Sequence, residues 1–117
     1  MYFLLDTQVE FSVRLVGGST DSEGRVEVNY NGTWGTVCDD EWDVKDGRDI
    51  CRMLGYPDVV SISDQAAFGE GSGSIILDEV ACNGHEETIA ECSHSGLEIN
   101  DCGHSEDAGV VCSGIYG

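Results

Sequence analysis

Six cysteines in 117 residues constrain this chain more than any other feature. They stand at Cys38, Cys51, Cys82, Cys92, Cys102 and Cys112, widely spaced and with no Cys-x-x-Cys pair. An even count at such spacing reads as three disulfides formed in an oxidising compartment, and counting alone leaves many pairings open. A cytosolic metal protein is the competing account, but these spacings match no common metal-ligand pattern. The length suits one domain with one modest core, and small domains often add covalent staples.

Twenty-three acidic residues face five basic ones, a net charge of −18. Such a surface repels phosphate backbones and anionic membranes, so neither nucleic acid nor a lipid surface is expected as a partner. It favours cationic partners and divalent cations. Solubility alone also calls for acids, but not for acids placed beside cysteines, as several are here. No apolar run approaches the roughly 18 residues a membrane helix needs. The apolar start, Met1 to Leu5, lacks a basic flank and is too short for a complete signal peptide. The chain reads as a domain of a longer parent.

Along the chain the signals are mostly of β type. Residues 1–12 read as an arm, residues 13–113 as the domain and residues 114–117 as a tail. Val13 to Val16 alternates and stops at Gly17-Gly18, which marks a first strand. Arg25 to Tyr30 places Val26, Val28 and Tyr30 on one face. Asn31-Gly32 is the strongest two-residue hairpin signal, so Thr33 to Cys38 returns as the next strand. Asn31-Gly32-Thr33 is also a glycosylation sequon at an exposed tip. Asp43 and Asp46 are good residues for a helix start. Ile50, Cys51 and Leu54 share a helix face, and Gly55 followed by Pro57 ends it. Gly47 weakens that helix by about 1 kcal/mol relative to alanine. Val59 to Ile62, Ile75 to Val80 and Ala108 to Cys112 read as further strands, and Glu86 to Cys92 as one or two helical turns. The fold class is α+β: a compact, disulfide-stapled domain with a mainly antiparallel sheet, one main helix and long loops.

These segments together resemble the scavenger receptor cysteine-rich domain family. The resemblance runs from Val13 to Ser113. It rests on Val13-Arg14-Leu15-Val16-Gly17-Gly18, Glu23-Gly24-Arg25-Val26-Glu27-Val28, Trp34-Gly35-Thr36-Val37-Cys38-Asp39-Asp40 and Cys51-Arg52-Met53-Leu54-Gly55. It continues through Phe68-Gly69-Glu70-Gly71-Ser72-Gly73, Leu77-Asp78-Glu79-Val80-Ala81-Cys82 and Cys102 to Cys112. The family has six- and eight-cysteine forms, and this chain resembles the six-cysteine, group A pattern. The resemblance implies the bridges Cys38–Cys102, Cys51–Cys112 and Cys82–Cys92, and a curved sheet cradling the helix. It also implies an extracellular location and a binding role in a scavenger or pattern-recognition receptor of innate immunity rather than an enzymatic one.

Were Cys38 and Cys102 bonded, Asp39, Asp40, Asp101 and Glu106 would converge on one disulfide. Carboxylates crowded together repel and shift their pKa values upward, and a hard divalent cation relieves this. Only Lys45 and Arg48 lie near enough in sequence to neutralise them otherwise. The resemblance implies a first calcium site at Asp39, Asp40 and Glu106 and a second at Asp78 and Asp101, completed by Asp43. Magnesium is an alternative ion. Asp43 equally suits an N-cap, and Asp39, Asp40 and Glu106 also suit a solvated acidic rim. Three carboxylates leave a 6–8-coordinate calcium shell open, so an anionic ligand such as a glycan or bacterial surface polymer can bridge to the protein through the ion. Direct capture of polyanions is disfavoured by the five bases, which favours cation-dependent or protein–protein recognition.

Rival chemistries fit poorly. The pairings of His85, His94 and His104 with nearby cysteines match no zinc spacing. His104 suits a loop-bonding role beside the disulfide. Gly-x-Ser-x-Gly is absent, and Gly69 to Gly73 lacks the lysine and ending of a phosphate loop. Paired acids also occur in glycosidases, but those need a cleft and sugar-stacking aromatics.

Overall fold

The computed structural model describes residues 11–113. Six strands form one sheet: β1 (Ser12–Gly17), β2 (Glu23–Tyr30), β3 (Thr33–Val37), β4 (Val59–Ser63), β5 (Ile75–Leu77) and β6 (Gly109–Cys112). The single α-helix among the described residues, α1, spans Val44–Met53 between β3 and β4. The sheet order is β4-β6-β2-β3-β5, with β1 on β2. All pairings are antiparallel except β3 with β5.

β2 is the organising strand. Its residues from Gly24 to Asn29 pair with β1. Its start pairs with β6 at Glu23 to Arg25, and its end pairs with β3 at Glu27 to Tyr30. β6 and β3 therefore follow one another along one edge, meeting at the Cys38–Asp107 bridge. A sheet split this way curls, and α1 fills the concave side.

The period-2 pattern of β2 is obeyed on its inner face, where Val26 and Val28 are fully buried. Its outer face is less solvated than alternation suggests. Glu27 is 6% exposed because Arg14 and Arg25 close on it from either side, at 2.7 Å and 2.8 Å. Arg14 also lies 4.1 Å over the Trp34 ring. Two of the five bases are thus paired with Glu27, Arg25 largely buried and Arg14 half-exposed. The hairpin forms as expected, with Asn31 at φ 60° and Gly32 at φ 84°, the left-handed pair a type I′ turn requires.

α1 begins with a full capping box. Asp43 Oδ1 accepts the N–H groups of Lys45 and Asp46, and Asp46 Oδ2 accepts that of Asp43. It ends in a Schellman arrangement, with Gly55 at φ 92° and the Tyr56 N–H on the Cys51 carbonyl. Gly47 has a packing reason: a Cβ there would lie 2.8 Å from Ile62 Cγ2. The helix can approach β4 only without that side chain.

Three differences from the sequence reading stand out. Phe11, assigned to the arm, is buried and meets Tyr30 edge-to-face, and Ser12 opens β1; the rest of the arm lies outside the described residues. The strand at Ile75 stops at Leu77, because Glu79 adopts φ 54°. The turns expected from Glu86 to Cys92 shrink to a 3-10 turn at Ile89–Glu91.

The disulfides are Cys38–Cys102, Cys51–Cys112 and Cys82–Cys92. The first two span 64 and 61 residues. In the chain-entropy account each contributes up to about 4 kcal/mol. No helix among the described residues is long and apolar enough to cross a membrane.

Candidate functional site

The acidic residues gather where β3 runs out. Val37 ends the strand, Cys38 bridges to Asp107, and the Asp39 N–H donates to the Glu106 carbonyl at 2.8 Å. The Cys38–Cys102 bond fastens the C-terminal loop to this point, with the two Cα atoms 6.3 Å apart.

Asp40 is shared between two carboxylate groups. One carboxylate oxygen each from Asp40 and Glu106 lies within 4.8 Å of the other, against the Cys38–Cys102 sulfurs. Oxygens of Asp40, Asp78 and Asp101 lie within the same mutual distance on the Cys102 side. The sulfurs are bonded to one another, so only the carboxylates are available as ligands.

Asp78 is the most telling member. It sits on the turn after β5, 2% exposed, and its Oδ1 has no hydrogen-bond partner among the described residues. Burial raises its pKa above the usual carboxylate range, and the negative charges of Asp40, Glu79 and Asp101 add to the rise. A buried carboxylate with an empty lone pair, facing two more carboxylates, is what a cation would compensate.

The remaining expected ligands are placed differently. Asp39 Oδ2 accepts the Gln65 N–H at 2.7 Å, so its carboxylate is turned away from Asp40 and anchors the loop after β4. Asp39 follows the bridge at Cys38 and Asp40 opens a turn, so the two adjacent carboxylates part there. Asp43 lies at the start of α1 with Oδ1 committed to two amides, and it does not join the converging carboxylates. Glu106, in the 3-10 turn His104–Glu106, accepts the Gly103 N–H through Oε1 at 3.2 Å.

His104 takes the loop-bonding role. Its Nδ1 is 3.0 Å from Asp107 Oδ2, and its Nε2 is 2.9 Å from the Gly73 carbonyl oxygen. Asp107 Oδ2 also accepts the Gly71 N–H at 2.7 Å. Burial opposes the charged ring, but the bonds to Gly73 and Asp107 prevail and raise its pKa. The glycine-rich loop is thereby tied to the back of the carboxylate site. Sequence reasoning does not identify Asp107, whose burial follows from the sheet split rather than from any local pattern.

Comparison with known proteins is consistent with this architecture. The profile of the scavenger receptor cysteine-rich domain matches residues 16–113. Over 101 residues, 86% of this chain, the rat (Rattus norvegicus) galectin-3-binding protein is 52% identical. Over 102 residues, 87% of this chain, the mouse (Mus musculus) macrophage scavenger receptor types I and II is 50% identical. These alignments take up 18% and 22% of the two relatives, so the chain spans about a fifth of their length. Among solved structures, the third domain of this type in murine neurotrypsin superposes with a TM-score of 0.83 at 47% identity, covering 92% of this chain and all of that one.

Proposed function

Because the chain belongs to the scavenger receptor cysteine-rich domain family, we propose that it is an extracellular ligand-binding module in which calcium assists recognition of anionic ligands. The family is one of receptor and binding domains, and the reading assigns no catalytic residue. The single observation that carries the reading is the convergence of Asp40 and Asp101 on the buried, unpartnered Asp78 Oδ1. These three carboxylates are the proposed ion-holding set, with Glu106 a fourth ligand reached through Asp40. Asp39 supports the site by holding the loop at Gln65, and Asp43 by starting α1. Bound calcium would supply positive charge and open coordination positions for a ligand's sulfate, phosphate or carboxylate. Magnesium is the alternative ion. Affinity on the order of 10⁻⁴–10⁻³ M is expected, as in other extracellular modules.

The acidic surface itself favours this order of events. At −18 the domain as a whole repels a polyanion, and a bound cation would supply a local point of positive charge for it to meet. Arg14 and Arg25 are committed to Glu27, which leaves little cationic surface for direct capture. Glycans and bacterial surface polymers, as a scavenger or pattern-recognition receptor would meet them in innate immunity, are the expected ligand class. Binding of the domain to an immobilised sulfated polysaccharide in millimolar calcium should vanish on adding EDTA and be lost in Asp40→Ala; binding that EDTA leaves intact would overturn the reading.

A second reading is recognition of a protein without metal. One relative is named for binding galectin-3, which makes a protein ligand a reasonable class. EDTA-resistant binding to a protein partner distinguishes it. Asn31 is exposed at the hairpin tip, and we further propose that it carries an N-linked glycan, tested by a mass shift on deglycosylation.

A further inference from the structure

The loop closed by Cys82–Cys92 is held against one face of α1 by polar contacts at helical spacing. Asp46 Oδ1 accepts the Cys82 N–H at 2.8 Å, and Arg52 Nη1 donates to the Gly84 carbonyl at 2.8 Å. Between them lies Asp49, fully buried. Its Oδ1 has no hydrogen-bond partner among the described residues. Its Oδ2 is 3.5 Å from Cys92 Sγ, a disulfide sulfur with no proton to give.

The group facing Asp49 from the loop is the carboxylate of Glu86, with ligand atoms within 4.8 Å. Glu86 is firmly an anion. It accepts the N–H groups of Asn83, Gly84 and His85, a nest of three successive amides. Two facing carboxylates, with Asp49 fully buried and Glu86 half-buried, cannot both keep their charge cheaply. A proton on Asp49 turns one of them into a donor. A metal ion suits the spot less well, because Glu86 is already engaged by amides, the sulfurs are not thiolates and the Arg52 guanidinium is close enough to act on Asp49.

We propose that Asp49 and Glu86 share one proton, and that this carboxyl–carboxylate bond clamps the Cys82–Cys92 loop to α1 in mild acid and loosens it as pH rises to neutrality. The charged groups facing Asp49 are Asp46 and Arg52 from its own helix and Glu86 from the loop, with His85 adjoining; the disulfide contributes none. Asp46 has both oxygens committed to the amides of Cys82 and Asp43. Burial, then the bond and charge of Glu86, push Asp49 up to about 7. The bond from Asp49, then the amide of Asn83, hold Glu86 down to about 2.

The sign follows from counting protons. Apart, both carboxyls titrate at about 4. From about pH 4.5 to about 7 the docked pair holds one proton and the separated pair none, so docking weakens as pH rises through that window. Below about pH 4 the separated pair holds two protons and the docked pair one, so docking weakens again as pH falls.

Amide hydrogen exchange on the intact domain tests this. Protection at Cys82, Glu91 and Cys92, corrected for intrinsic rates, should fall roughly tenfold or more between about pH 5 and about pH 7.5, while Val26 and Val28 change far less. Asp49→Asn keeps a donor toward Glu86 and cannot titrate, so its loop protection should vary with pH much less than the parent's, the remainder coming from Asp46, which burial raises to about 6. Carboxyl NMR of the unmutated protein gives an independent reading, with the Asp49 midpoint expected near neutrality. Loop protection that does not respond to pH, an unchanged slope in Asp49→Asn, or an Asp49 midpoint below about pH 5 would each overturn the proposal.

Discussion

A carboxyl group as buried as Asp78 ordinarily collects amide or hydroxyl donors, and its Oδ1 has collected none among the described residues. That deficit gives the ion-free domain a specific weakness. Asp78→Asn would replace a repelled charge by an amide whose N–H groups can donate to Asp40 or Asp101. The variant should be more stable than the parent in EDTA by about 1 kcal/mol, read as a rise of about 4 °C in melting temperature. It should also lose any stabilisation by calcium. Because the Asp78 pKa is raised, its contribution to stability is present at low pH and lost as pH rises through that pKa. The melting temperature in EDTA should therefore climb as pH drops toward the ordinary carboxylate value of about 4, and less so in Asp78→Asn. Most members of the carboxylate cluster are legible one by one, since Asp40, Asp78, Asp101 and Glu106 stand beside cysteines or strand ends. Their grouping is not. Asp40 belongs to two groups, and Asp39 turns to Gln65, because side-chain direction at the end of β3 depends on a turn that no local motif specifies.

At the scale of elements, α1 is the best-written part of the sequence. Asp43, Asp46 and Gly55 announce its ends, and the structure uses all three. By helix propensity alone Gly47 is only a weakness. Its neighbours across the interface turn it into a requirement, since an added Cβ would stand 2.8 Å from Ile62 and 3.2 Å from Val59. Gly47→Ala should thus destabilise the fold by about 1–2 kcal/mol in urea unfolding, the overpacking cost exceeding the roughly 1 kcal/mol gained in helix propensity. Net stabilisation would mean the helix can shift off β4 freely. Asp43→Ala should cost about 1 kcal/mol through the lost cap while leaving calcium affinity within about twofold of the parent. A large loss of calcium affinity in that variant would return Asp43 to the ligand set. Strand β5 ends early for a reason invisible in its apolar run: Glu79, just after the buried Asp78, takes a left-handed conformation that turns the chain away.

For the molecule as a whole, the cysteine count and hairpin signal point to the class, and the resemblance supplies the bridges. The neighbour relations within the sheet come from neither. Nothing local says that β6 and β3 share an edge of β2, or that Arg14 and Arg25 both close on Glu27. Those pairings join segments far apart in the chain and emerge only when the sheet curls. The Cys38–Cys102 bridge then gathers the proposed site, since the carboxylates that follow β3 and β5 meet those of the C-terminal loop around it. Replacing both cysteines by alanine should remove up to about 4 kcal/mol of stability and the calcium response together. The most direct test of the account is calorimetric titration of calcium into the domain, with Asp40→Ala beside it. Saturable binding with Kd on the order of 10⁻⁴–10⁻³ M, abolished in Asp40→Ala because Asp40 serves both carboxylate groups, is the predicted result. Absence of binding by the unmutated domain, or equal binding by Asp40→Ala, would contradict it.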